Sequence, residues 1–159
     1  MEQRIKVDQD FIDFKDSKEI RERIPKYFRD SFQVVHEGLY KKQYDINLSG
    51  STVTTVLFDG YRVYCANAGD SRAVLYTQGK KGGVKVTPLS EDHKPSLPKE
   101  KARIEKCNGR VEPILGPQGQ FLGPDRVWMQ NEDTPGLAMS RSLGDGLAHT
   151  LGVSWEPGK

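Results

Sequence analysis

Asp70 is the residue whose setting most invites chemistry. It stands in Gly69-Asp70-Ser71-Arg72-Ala73, at a tight turn between two apolar, β-branched runs. A carboxylate there projects from a rigid base, and hard cations such as magnesium favour carboxylates together with water. Aspartate is also an ordinary turn residue, because its side chain bonds its own nearby backbone. The residues alone leave both readings open. The same five residues carry the letters of a nucleophile elbow, Gly-x-Ser-x-Ala, with His93 and His149 downstream as nominal bases. That motif needs a strand-to-helix turn to expose its serine. Residues 74–77 read as strand, which argues against a serine hydrolase.

Other clusters fail on spacing. Asp8, Asp10, Asp13 and Asp16 are dense enough to suggest calcium. An EF-hand loop needs an oxygen ligand at its fifth position and glycine at its sixth, and Ile12 and Asp13 stand there. The tract at residues 79–83 is glycine- and lysine-rich, but its glycines are misplaced for a phosphate-binding loop. His36, His93 and His149 lack zinc-site spacing. Cys65 and Cys107 are too few for a disulfide framework and read as reduced thiols of an intracellular, cytoplasmic or nuclear protein.

The elements that must position these groups follow from periodicity. Residues 12–44 read as helix, with Ile20, Ile24, Tyr27 and Phe28 at helical spacing and Ser17 as a candidate cap. Pro25 predicts a break or kink, after which a second helix carries Phe28, Phe32, Val35, Leu39 and Tyr40 on one face. Four strands, at 52–58, 61–67, 72–77 and 84–89, predict an antiparallel meander, with Asp59-Gly60 as a hairpin signal. Residues 97–107 read as a short helix, with Ser96 as its cap, Pro98 in its first turn and Asn108-Gly109 as its stop. Glycine and proline punctuate residues 112–136 so densely that they predict an irregular excursion, long enough to be a functional lid.

The chain has 159 residues, about one domain's worth, with 35% hydrophobic, 9% aromatic and 29% charged residues. A net charge of +2 with both signs interspersed argues against a nucleic-acid binder. No apolar run approaches the roughly 18 residues of a membrane span, and no apolar stretch at the N-terminus suggests a secretory signal.

Taken in order, several segments resemble one family. Ser49-Gly50-Ser51-Thr52, Ala66-Asn67-Ala68-Gly69-Asp70-Ser71-Arg72-Ala73 and Asp92-His93-Lys94-Pro95 come first. Glu100, Arg103-Ile104 and Gly109-Arg110-Val111 follow. Leu137-Ala138-Met139-Ser140-Arg141-Ser142-Leu143-Gly144-Asp145, Gly152-Val153-Ser154 and Glu156-Pro157 close the series. Together they resemble the metal-dependent serine/threonine phosphatases of the protein phosphatase 2C family. The resemblance implies an α+β fold, part of a four-layer α/β/β/α sandwich of antiparallel sheets. It implies a magnesium or manganese pair whose bridging water attacks phosphoserine or phosphothreonine of a phosphoprotein.

By that resemblance, Asp70 matches an aspartate that helps bind an additional, weaker metal. Residues 95–136 correspond to a flap beside the active site, from which Arg110, Arg126 and Trp128 could reach substrate. Gly69, Ser71, Arg72, Ser140, Arg141, Gly144 and Asp145 read as residues that shape the motifs. The chain divides into a helical segment (1–47), a β-meander (48–94), a helix with the flap-like segment (95–136) and a C-terminal motif region (137–159). The family's Asp-Gly-His-Gly-Gly ligand motif is absent from this sequence. No catalytic residue is identifiable, and the expectation is a central piece of the domain, truncated at both ends and inactive alone. Cut sheet edges would favour a dimer or swapped assembly. The alternative reading is a pseudophosphatase-type module that binds phosphoproteins or a partner.

Overall fold

A computed structural model describes residues 18–42, 44–59, 62–79 and 82–158. The acidic run at residues 8–16 and the proposed cap Ser17 lie outside the described residues. The architecture is α+β, as expected from the resemblance. In order, it comprises α1 (Lys18–Tyr40), β1 (Gly50–Ser51), β2 (Val53–Phe58), β3 (Val63–Ala68), β4 (Val74–Gln78) and β5 (Val84–Pro88). Then come α2 (Pro98–Lys106), β6 (Gly109–Leu115), β7 (Phe121–Met129), β8 (Pro135–Leu137), β9 (Leu143–Gly144) and α3 (Gly146–Thr150).

Helix α1 runs through Pro25 without ending. The Pro25 side chain is exposed, whereas Ile24 and Phe32 are buried and Phe28 is half-buried. Burial of the stripe on either side of the proline outweighs the lost backbone bond. The buried face also differs from the predicted one. Val35 and Tyr40 are exposed, and His36 takes the inward position, one turn from Phe32.

The predicted four-stranded meander resolves into two separate hairpins. β2 pairs with β3 from Val53↔Ala68 to Phe58↔Val63, and β4 pairs with β5 from Val74↔Pro88 to Gln78↔Val84. Among the described residues β3 and β4 form no ladder. The Gly69-Asp70 turn therefore redirects the chain instead of reversing it within one sheet.

Residues 109–137 are not an irregular excursion. β6, β7 and β8 form a three-stranded antiparallel sheet. Pro113 and Pro124 sit where the β6–β7 ladder needs no donor. Pro113 lies at the register shift between Glu112 and Ile114, opposite the unpaired Gly123-Pro124 step. Helix α2 packs on β6. Its N-cap is Leu97, with no side-chain capping bond, so Ser96 does not cap it. Asn108 does supply the left-handed stop, with φ of 64°.

Two apolar cores result among the described residues. Phe32, Ala66, Ala68 and Leu143 are buried between α1, β3 and β9, with Phe28, Leu39, Val53 and Trp155 against them. Ile104, Val111, Val127, Ala148, Leu151 and Val153 form the second, beneath α2 and the three-stranded sheet. The segment from Ser140 to Ser154 runs between them, so both cores brace it.

Candidate functional site

The turn at residues 69–73 rests on the strap at residues 89–94. Leu89 N–H donates to Ala73 O at 2.9 Å, and His93 N–H donates to Gly69 O at 3.0 Å. Ala73 N–H donates to Ser90 Oγ at 2.9 Å. Gly69 has φ of 110°, and a Cβ there would stand 2.3 Å from Thr52 Cγ2. Only glycine meets both demands. Asn67, almost fully buried at the end of β3, fastens the turn from beneath. Its Nδ2 donates to Gly69 O and Glu91 O, each at 3.0 Å, and its Oδ1 accepts from Thr54 Oγ1 at 2.6 Å.

This frame holds Asp70 partly exposed, in an ion pair with Lys94. Arg72 forks onto Asp92, with Nε and Nη2 each 2.8 Å from a carboxylate oxygen. That contact is the main reason the Asp92 carboxyl lies below its ordinary pKa. The Ser71 hydroxyl bonds Thr52 Oγ1 at 2.7 Å. The chain after it enters β4, not a helix. His93 Nδ1 accepts from Gly69 N–H at 3.2 Å, and His149 Nε2 lies 3.1 Å from Ser142 O. Neither ring is bonded to Ser71, so the nucleophile-elbow reading fails in geometry as well as in order.

A second knot centres on buried Glu100 of α2. It accepts from Arg103 Nη2 at 2.8 Å, Ser140 Oγ at 2.8 Å, and Arg141 Nη2 and Nε at 2.6 and 3.1 Å. Burial pushes its pKa upward, but the bonds from Arg141, Arg103 and Ser140 prevail and hold it at about 2. Arg141 Nη1 also donates to Glu156 O at 2.8 Å. Arg103 donates to Gly152 O at 2.7 Å and Ser140 O at 2.8 Å. Ser140 N–H donates to His93 O at 2.9 Å, which joins this knot to the Asp70 frame.

Asp145 is buried in the left-handed region, φ 46°, between β9 and α3. Its N–H donates to Ser49 O at 2.8 Å. Gly50 pairs with Gly144 across the β1–β9 ladder. A Cβ on Gly50 would stand 2.1 Å from the Asp145 carboxylate, and one on Gly144 would stand 2.5 Å from Ser49 O.

Arg110, Arg126 and Trp128 share the β6–β8 sheet, and their bonded donors reach partners in it or in the connection at residues 130–134. Arg110 pairs with Glu112 and with Asp133 at 3.0 Å, and its guanidinium lies 5.8 Å from the Trp128 ring centre. Trp128 Nε1 donates to Glu112 O at 2.9 Å, and Arg126 Nη1 donates to Gly136 O at 2.7 Å. Buried Arg126 Nε has no partner among the described residues. No hydrogen bond or ion pair between described residues links these three to the Asp70 turn.

Asn67 and His93 are the positions whose work the sequence reading missed. Asn67 carried a signal: an amide inside an apolar strand must find partners when buried. His93 carried none.

The resemblance implies a magnesium or manganese pair. Among the described residues no three His, Cys, Asp or Glu side chains converge. Asp70 offers a single carboxylate, already held by Lys94. A bridged metal pair needs several oxygen ligands, so these residues by themselves do not make its seat. Among them, no helix is long and apolar enough to cross a membrane.

An α+β domain with an aspartate-bearing turn braced from a neighbouring strap is the class that fold and site define. The family model for protein phosphatase 2C matches residues 2–157, and the chain belongs to that family. It is 44% identical over 117 residues to "Probable protein phosphatase 2C 61" of Arabidopsis thaliana, covering 74% of this chain and 35% of that protein. It is 45% identical over 101 residues to "Probable protein phosphatase 2C 12" of Oryza sativa subsp. japonica, covering 64% of this chain and 25% of that one. The chain thus spans about a third or less of these curated relatives' length. The crystal structure of serine-threonine phosphatase 2C from Toxoplasma gondii shares its fold, with a TM-score of 0.74 at 22% identity, over 94% of this chain and 50% of that one.

Proposed function

We propose that this chain is part of a metal-dependent protein serine/threonine phosphatase, which hydrolyses phosphoserine and phosphothreonine on phosphoproteins with magnesium or manganese. The observation that carries this reading is the match of residues 2–157 to the protein phosphatase 2C model. The braced turn supports it further, since Asp70 is presented at the surface on a frame that does not depend on Asp70 itself. In this reading Asp70 contributes to an additional, weaker metal, with Lys94 holding the carboxylate in the metal's absence. The remaining ligands come from other segments, and the chain as it stands is catalytically inactive. The described part belongs to the layered sandwich of the domain. Apolar side chains exposed on its strands, including Phe58 of β2 and Phe121 of β7, favour self-association of the isolated chain, which light scattering measures.

The test is phosphate release from a phosphothreonine peptide, with and without manganese. It compares this chain with a longer one carrying the family's flanking ligand segments. The reading expects manganese-dependent release from the longer chain only. No release from the longer chain, beside a working control phosphatase, would favour a phosphoprotein-binding module. Robust turnover by this chain alone would overturn its proposed inactivity.

A further inference from the structure

We propose that His93 is a positioning residue: it bonds both backbone polar groups of Gly69, sharing the carbonyl with Asn67, and through the Gly69 N–H helps set the turn that carries Asp70. The geometry is reciprocal. Gly69 N–H donates to His93 Nδ1 at 3.2 Å, and His93 N–H donates back to Gly69 O at 3.0 Å. The third polar group, His93 O, accepts from Ser140 N–H at 2.9 Å. One buried residue, 5% exposed, thus bonds to the turn on one side and to the Glu100 knot on the other. The residues that follow each partner, Asp70 after Gly69 and Lys94 after His93, meet in the ion pair. The pairing of the two charges is therefore a consequence of the bonds one position upstream.

The arrangement specifies the tautomer. A backbone N–H can only donate, so Nδ1 must be the unprotonated nitrogen, and the neutral ring carries its proton on Nε2. Burial and the Arg141 charge disfavour a second proton, in keeping with a ring that stays an acceptor.

The chemistry singles out one replacement. Asparagine places Oδ1 two bonds from Cβ, where the imidazole holds Nδ1. Glutamine places its polar atoms one bond further, near the position of Nε2. A role in bulk packing alone does not distinguish them in this way.

The test uses this chain labelled with 15N. Ring-nitrogen spectra are expected to show His93 Nδ1 unprotonated and Nε2 protonated. The Gly69 amide is expected to keep its hydrogen-exchange protection within about twofold in His93→Asn and to lose about tenfold in His93→Gln, as for loss of one buried hydrogen bond. A ring protonated on Nδ1, or equal protection in the two variants, would overturn the proposal. Where His93→Gln does not fold, the ring spectrum of the unsubstituted chain decides alone. The consequence for catalysis rests on the phosphatase reading. In the longer chain, His93→Asn is expected to turn over several-fold faster than His93→Gln. If the unsubstituted longer chain releases no phosphate, the phosphatase reading fails while the spectra still decide the role of His93.

Discussion

Glu100 and Arg141 meet as a two-pronged charge-assisted pair, with contacts of 2.6 and 3.1 Å across 41 positions of sequence. The carboxylate is nearly inaccessible, and Arg103 and Ser140 complete its shell. This contact ties α2 to the segment that both cores brace.

Glu100→Ala leaves Arg141 and Arg103 short of their shared partner in a buried setting. Loss of one member of a buried ion pair costs about 3–5 kcal/mol, and urea unfolding should show a loss in that range. The exposed Lys101–Glu105 pair, 3.8 Å apart, is the control. Lys101→Ala is expected to cost at most about 0.5 kcal/mol.

Acid should destabilise the protein in two overlapping stages. The His149 pKa is lowered to about 4 by burial, and then by His36, whose ring centre lies 4.4 Å away. Burial lowers His36 too, against an opposing pull from Glu37. The unfolded chain therefore takes up protons on these rings before the folded one does, and stability falls as pH drops from about 6.5 towards 4. Glu100, held at about 2 against an ordinary 4.5, loses its contribution as pH drops from about 4.5 towards 2. Melting temperature should be level above pH 7 and fall steadily below it. In His149→Phe the upper part of that slope should shrink while the lower part persists.

Gly69→Ala and Gly82→Ala separate backbone strain from steric clash. Both glycines have positive φ, 110° and 80°, but only Gly69 has neighbours a methyl group would strike. Gly82→Ala should cost about 1 kcal/mol, the strain alone. Gly69→Ala should cost more than about 2 kcal/mol, because Thr52 must also move. Chemical denaturation of the two variants side by side gives the difference directly.

The inward face of α1 can be checked in the same way. Phe32 is 5% exposed and Val35 is 52% exposed. Phe32→Ala should cost about 3–5 kcal/mol. Val35→Ala should fall within about 0.5 kcal/mol of the parent. Comparable losses at both positions would mean that the helix is rotated from the face described.

Much of this protein was legible in its residues. Apolar, β-branched runs announced β2 to β5, because such side chains favour the extended backbone even where, as in β4 and β5, most of them are exposed. Pro98 and Asn108-Gly109 marked both ends of α2, because helix termini impose local demands on φ and on backbone donors. The ordered motifs from Ser49 to Pro157 pointed to the family, whose model spans residues 2–157. These features are local, or preserved in order along the chain.

What only the tertiary structure decided depends on contacts between distant segments. Pro25 stays within one helix, whose Phe28 and Phe32 pack in the core with β3 and β9 and whose Ile24 is buried as well. The glycines and prolines of residues 112–136 punctuate a sheet because they fall at its bulges and turns. Arg110, Arg126 and Trp128, which the flap resemblance made candidates for substrate contact, bond Asp133 in the β7–β8 connection, Gly136 O and Glu112 O, partners that only the folded sheet brings near. His93 looked isolated because its partners, Gly69 and Ser140, lie 24 and 47 positions away. Sequence spacing reports partners along a helix or strand; it is silent about a hydrogen bond that exists only after three separate segments have packed.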